Sequence, residues 1–206
     1  MQKLDLFPTT FFIFDNTELD NKKLIADLSK YTDRMKSGNI LSSLHTLHDK
    51  QEFTNLFSWF DQCLEEIRVD QHYDCEQFKI TNSWFNIAKS QSNMHIHHHR
   101  HSMSFFSGVY YLTEGAPTEF EDPVLHRTQA QLEVLRFHYS PYERITPQPG
   151  KLVIFPSWMY HCSIPHVDNH DRYIISFNTL PNGAVNYNIA SDSVVDITIN
   201  LREKLK

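Results

Sequence analysis

The sequence predicts a mainly β protein with helices at its N-terminus, and three observations carry that prediction. Apolar residues recur at spacings of three and four through the first 75 or so positions, then alternate from Phe78 onward. The alternating runs are short and separated by Pro-, Gly- and Asn-containing turns. Aromatic side chains are abundant, with 15 Phe, 9 Tyr and 3 Trp against only 5 Gly. That balance suits an aromatic-lined β core, and neither GxGxxG nor GxxxxGK[ST] occurs. Many short strands after two helices imply a sandwich or barrel of antiparallel strands braced on one side.

Each element has its own signal. Asp20 can cap a helix with Leu24, Leu28, Tyr31 and Met35 on one face and Gly38 as a stop. A second helix is expected from Asp49, with Glu52 completing a capping box and Phe53, Leu56, Phe57, Phe60, Leu64 and Ile67 facing the core. Between them, Ser42 to His48 reads as a polar loop. Strands are expected over Phe78–Ala88, Ser104–Leu112, Thr118–Glu121, Leu132–Tyr139, Lys151–Phe155, Tyr173–Thr179, Val185–Ile189 and Val194–Asn200. Turns are expected at Glu114–Pro117, Pro141-Tyr142, Pro147–Gly150, Asp168-Asn169 and Pro181–Gly183. No composition break divides the 206 residues, so one domain is expected, with 1–77 as helical support and 78–206 as the β core.

Bulk properties exclude several function classes. A net charge of −6 without a basic patch argues against nucleic-acid binding. No apolar stretch approaches the ~18 residues of a membrane span, and the first residues lack a signal-peptide core. Cys63, Cys75 and Cys162 are odd in number and show no CxxC spacing, which reads as reduced thiols in a cytoplasmic setting.

Chemistry concentrates in two blocks. His95-Ile96-His97-His98-His99-Arg100-His101 places five imidazoles in seven residues, shortly before Ser107–Leu112. On an extended strand His95, His97, His99 and His101 share a face and His98 takes the other, so two neighbours can reach adjacent positions on one metal ion. Alternation alone leaves open which pair does so, and a solvated histidine loop is the bland reading. The second block runs from Pro149-Gly150 through Lys151–Phe155 to His161, a distal imidazole beside aromatics. Arg172 then opens an apolar strand, where its permanent charge must meet an anion: a structural carboxylate or a bound organic acid.

These stretches resemble the iron(II)- and 2-oxoglutarate-dependent oxygenases, most closely the small oxygenases of bacteria and tailed phages related to prolyl hydroxylases. The likeness rests on Leu6-Phe7-Pro8, Ser83–Ile87, His99–His101 with Ser107–Leu112, Phe120–Pro123, Gly150–Trp158 with His161, and Arg172–Asn178, in that order. It implies a double-stranded β-helix core (a jelly roll, as in cupins) with Fe(II) at one mouth and 2-oxoglutarate and O2 as cosubstrates. His99 and His161 fall on the first and distal ligands of the usual His-x-Asp/Glu…His triad, and Arg172 on the residue binding the far carboxylate of 2-oxoglutarate. Tyr111 matches a strand tyrosine holding the same carboxylate, with Asn86 and Ser176 as further pocket candidates.

Two departures stand out. His101 occupies the acidic-ligand position, giving a metal triad of His99, His101 and His161. Counting from Trp84 instead favours His97 and His99, and Asp122 would supply a carboxylate if its strand folds back onto the site. Ile174 stands where these enzymes commonly carry the serine of Arg-x-Ser, leaving Ser176 as its substitute. The implied function is hydroxylation of an unactivated C–H bond in an unknown substrate, peptidyl or amino-acid by analogy, with release of succinate and CO2. The competing readings are a cupin-like three-histidine enzyme that does not use 2-oxoglutarate, and a non-catalytic histidine-rich metal binder. Expected partners are the small cosubstrate and that substrate, without nucleic acid or membrane; exposed sheet edges would suit a homodimer.

Overall fold

A computed structural model describes residues 8–34, 40–42, 45–92, 97–124, 140–188 and 194–200. The strands are β1 (Phe12–Asp15), β2 (Ile40–Ser42), β3 (Gln77–Ala88), β4 (Phe106–Tyr111), β5 (Thr118–Glu121), β6 (Tyr142–Ile145), β7 (Lys151–Pro156), β8 (His161–Ser163), β9 (Arg172–Val185) and β10 (Val195–Ile197). The helices are α1 (Asn21–Leu28) and α2 (Thr54–Asp70). The larger sheet runs β1-β7-β4-β9-β3-β2, with β10 added to β9, and the smaller runs β6-β5-β8. All these pairings are antiparallel. The expected mainly β jelly-roll class with N-terminal helices is the one observed.

Alternation sorts the larger sheet into two faces. Phe106 and Tyr110 of β4, Leu152 and Ile154 of β7, and Ile175 and Phe177 of β9 pack with α2 through Leu56, Phe57, Phe60, Leu64 and Ile67. Val109 and Tyr111, Val153 and Phe155, and Ile174 form the second core, facing Phe120 of β5. All six residues of β4 are therefore buried. In β3 a bulge between Ile80 and Asn82 reverses the alternation. Phe78 and Ile80 before it, and Phe85 and Ile87 after it, consequently share the helix-side core, and Trp84 and Asn86 turn to the opposite face.

Differences from the sequence expectations have local causes. Asp20 does cap α1, its carboxylate accepting from Lys23 N–H at 3.0 Å. The helix then tightens to a 3-10 turn over Ser29–Arg34, short of Met35 and Gly38, which lie outside the described residues. Helix α2 begins at Thr54 without a side-chain cap. The expected capping box is absent because Glu52 instead accepts from Tyr31 Oη at 3.1 Å and Lys30 Nζ at 3.4 Å. The segment expected as a loop contributes Ser42 to β2 and a 3-10 turn at Leu47–Asp49. Strands β1 and β2 thus add edges to the sheet from within the N-terminal helical region. Pro141-Tyr142 opens β6 rather than a turn, and β9 runs through Pro181–Gly183, continuing against β3 and β10. The expected strand Leu132–Tyr139 lies outside the described residues, and Val185–Ile189 is realised only as the end of β9. Among the described residues, no helix is long and apolar enough to cross a membrane.

Candidate metal centre and cosubstrate pocket

Backbone pairing brings three imidazoles to one mouth of the sandwich. His99 N–H donates to His161 O and His161 N–H donates to His99 O, both at 3.0 Å, while His101 N–H donates to Ser157 O at 3.0 Å. The ring centroids then stand 4.5 Å apart for His99–His161, 5.1 Å for His101–His161 and 5.2 Å for His99–His101. One ring nitrogen from each lies within 4.8 Å of the other two. Among the described residues no carboxylate joins this trio.

Backbone carbonyls fix the tautomer of two of the rings. His99 Nδ1–H donates to His97 O at 3.0 Å and His161 Nδ1–H to Met159 O at 2.9 Å, which leaves each Nε2 lone pair available. Burial pushes the His161 imidazole down to about 3. Burial, with His99 nearby, pushes His101 down to about 4. Neutral imidazole is the form that binds a first-row divalent metal.

The other histidines of the run do not join. His97 is exposed and offers only its carbonyl to this cluster. His98 faces away, with Nε2 at 3.4 Å from Glu119 Oε1 and its ring against Tyr142. His95 lies outside the described residues. Asp122 stays apart too: its Oδ1 accepts from Val124 N–H at 2.8 Å, and it lines two clefts of about 550 and 380 Å³ that share no residue with the histidine cavity.

That cavity measures about 150 Å³ and is walled by the three histidines with Trp84, Asn86, Ser107, Thr118, Ile174 and Ser176 among others. It is smaller than the ~300 Å³ at which drug-sized pockets begin, so it suits a small acid rather than a bulky substrate. Arg172 and Tyr111 are not in its wall. They lie behind it: Arg172 shares a face of β9 with Ile174 and Ser176, and its guanidinium stands 5.8 Å from the Tyr111 ring. Tyr111 Oη donates to Thr118 Oγ1 at 2.7 Å, linking the buried tyrosine to a cavity-lining hydroxyl. Arg172 is 2% exposed, and its Nε and Nη2 have no hydrogen-bond partner among the described residues.

Sequence reasoning overlooked Thr118, Trp84 as a wall residue, and Asn178, whose side-chain amide lies 3.4 Å from His101 Nδ1. Thr118 was findable, because an inward Thr two residues before Phe120 breaks an otherwise apolar face. Trp84 lies 5.4 Å from the His101 ring across the strand bulge, a contact that spacing does not reveal.

Residues 82–178, just under half of the chain, match the family described as "Putative 2OG-Fe(II) oxygenase". No curated protein sequence matches. Solved structures with similar folds include HygX from Streptomyces hygroscopicus with nickel, 2-oxoglutarate and hygromycin B bound, at 11% identity, 84% of this chain, 83% of that one and a TM-score of 0.60. A Pseudomonas putida prolyl-4-hydroxylase aligns at 13% identity, 85% and 94% coverage and a TM-score of 0.58. The viral collagen prolyl hydroxylase of Paramecium Bursaria Chlorella virus-1, in complex with 2-oxoglutarate, aligns at 11% identity, 82% and 94% coverage and a TM-score of 0.54. At these identities the structural neighbours speak for the fold, a double-stranded β-helix. The family match spans the histidine cluster and the strands behind it, so residues 82–178 are similar to the 2OG-Fe(II) oxygenases, and solved structures that share the fold include ones with nickel and 2-oxoglutarate or with iron bound.

Proposed function

We propose that the chain is a 2-oxoglutarate-dependent dioxygenase that hydroxylates an unactivated C–H bond, with Fe(II) held by His99, His101 and His161. The observation that carries this reading is Arg172: a buried guanidinium whose Nε and Nη2 lack hydrogen-bond partners among the described residues, on the strand face that leads into the three-imidazole cavity. An unpaired buried charge costs several kcal/mol, so the arrangement calls for a bound anion. A dicarboxylate with one end at the imidazoles and the other at Arg172 meets that need.

Three imidazoles fit a divalent metal but contribute no negative charge, which would leave a bound ion its full pull on a keto-acid. When bound, Fe(II) supplies the Lewis-acid grip on the keto-acid end and the O2-dependent decarboxylation, to succinate and CO2, that drives C–H oxidation. The rest is the work of this chain. Arg172 grips the far carboxylate through paired N–H donors. Because Tyr111 donates to Thr118, the Thr118 hydroxyl is free to donate its own proton into the cavity. Asn86 and Ser176 line the space between the two ends, and Trp84 shields His101 from water. The substrate then sits at the mouth; an amino-acid or peptidyl side chain is the class suggested by likeness to prolyl hydroxylases. Cys63, Cys75 and Cys162 are buried and not joined in disulfides, which supports action in a reducing, cytoplasmic setting.

A cupin-like enzyme without 2-oxoglutarate would leave Arg172 unaccounted for. A histidine-rich chelator would also use His98, which lies with Glu119 and Cys162 in a second group that could hold a metal, and would bind several ions without regard to 2-oxoglutarate. The test is anaerobic titration of metal-free protein with Fe(II) and then 2-oxoglutarate. A saturable visible charge-transfer band at one iron per chain is expected. Arg172→Ala should raise the 2-oxoglutarate concentration required by about 30-fold or more, the scale of breaking a buried charge pair, with iron still bound. Unchanged affinity would remove Arg172 from the role, and absence of the band would remove the cosubstrate. Succinate release across candidate amino acids and peptides then identifies the substrate.

A further inference from the structure

Three sequence blocks that carry the family likeness each contain a polar residue with no part in the scheme above: Ser107, Ser157 and Asn178. The fold joins all three in one buried chain that ends on His101. Ser107 is 2% exposed, Ser157 0% and Asn178 7%. Ser104 Oγ lies 2.7 Å from Ser157 Oγ, which lies 2.8 Å from Ser107 Oγ. Ser107 Oγ lies 2.7 Å from the Asn178 side-chain amide, whose other end faces His101 Nδ1 at 3.4 Å.

The direction of this chain follows from proton counting. Ser104 Oγ sits 3.0 Å from Phe106 O and 3.3 Å from Thr179 O, and carbonyls only accept. Ser104 therefore spends its single proton on a carbonyl; otherwise its lone pairs would face theirs. Ser157 must then donate to Ser104, and Ser107 to Ser157. With its proton spent, Ser107 can only accept from Asn178, so the amide NH2 faces Ser107. The amide oxygen then faces His101. The structure draws the amide the other way, with Oδ1 toward Ser107 and Nδ2 toward His101. The two orientations have the same shape and are distinguished only by their partners, and the drawn one leaves the Ser157–Ser107 contact without a proton.

We propose that Asn178, oriented by Ser107, Ser157 and Ser104, is the positioning residue of His101: its amide oxygen accepts from Nδ1–H and so presents Nε2 to the metal. This rests on His99, His101 and His161 being the ligands. His99 and His161 obtain the same tautomer from backbone carbonyls. His101, standing where the superfamily's usual triad has a carboxylate, obtains it from a side chain. A carboxylate ligand would have no tautomer to set, so the relay answers a need created by the third histidine.

Long-range 1H–15N spectra of the metal-free protein near pH 7.5, with Co(II) titrations as the second readout, test the idea. His101 is expected as the Nδ1–H tautomer; an Nε2–H tautomer overturns the proposal. Asn178→Ala should weaken Co(II) binding by about 10–100-fold. Asn178→Asp, which still accepts from Nδ1–H, should restore it; wild-type affinity in Asn178→Ala overturns the positioning role. Ser104→Ala, a milder change should Asn178→Ala fail to fold, removes the hydroxyl that accepts from Ser157 and so sets the direction, and should yield both His101 tautomers. An unchanged single tautomer refutes the relay. His101→Ala separates the two readings: undiminished Co(II) affinity there overturns the ligand assignment itself, and the positioning role with it.

Discussion

A buried guanidinium and a buried imidazole answer burial differently. Arg172 keeps its charge, with Nε and Nη2 lacking hydrogen-bond partners among the described residues, whereas His101 and His161 give up theirs. The second response has a pH signature in the metal-free protein. Unfolded imidazoles titrate near ~6.5, whereas burial holds the folded His101 and His161 near about 4 and about 3. Between those limits the unfolded chain binds protons that the folded chain refuses, so stability falls as pH falls through that window. Urea midpoints measured at pH 7.5, 6 and 5 should decline in that order; a flat series would show that the two rings titrate normally. Thr118 gives a second prediction. Thr118→Val keeps the shape but leaves Tyr111 without its acceptor and the cavity without a donor, so 2-oxoglutarate affinity should drop by about 5–30-fold, the worth of ~1–2 kcal/mol. Titration by the charge-transfer band checks it, and no change would exclude Thr118 from the pocket. At this scale Arg172 was legible from its charge alone. Asn178 was not, since its partner His101 is 77 residues away.

Strands and helices show where pattern reading works and where it stops. Strand β5 was legible to the residue because Thr118–Glu121 alternates. So was the inward face of α2, where Leu56, Phe57, Phe60, Leu64 and Ile67 repeat at helical spacing, except for Cys63, which is buried with them. Short edge strands were missed: β1, β2, β6 and β8 are three or four residues long and, unlike the equally short β5, none of them alternates in sequence. The β3 bulge was invisible for another reason, since one extra residue preserves the composition while reversing the face. Gly108 shows how tightly these elements meet. A Cβ there would lie 2.3 Å from the Phe177 ring on β9, in the strand that also carries Ser107 and Val109. Gly108→Ala should cost about 1–3 kcal/mol, through forced displacement of Phe177. Chemical denaturation of the metal-free protein reads this out, and a loss below ~0.5 kcal/mol would mean that the interface yields freely.

The whole molecule couples its two ends through ligands. A metal and an organic acid that bind only the folded chain stabilise it by mass action, by about 2.7 kcal/mol for each at a hundredfold excess over its Kd. Tm should therefore rise stepwise, first with Co(II) and then with 2-oxoglutarate, and the second step should vanish in Arg172→Ala while the first persists. A second step that survives in Arg172→Ala would place the acid elsewhere. On its own, the sequence determined the class of fold, the helix-side core, and the residue types of a metal and anion chemistry, because each depends on short-range periodicity or on a charge that cannot be buried alone. Only the tertiary structure decided which histidines of the run converge, that Asp122 stays apart, and that three serines and an asparagine stand behind His101. Those outcomes depend on backbone pairing between segments far apart in sequence, His101 against Ser157 and above all His99 against His161, 62 residues on. In an alternating strand, one residue of register exchanges every side chain between cavity and solvent, and local pattern does not fix that register.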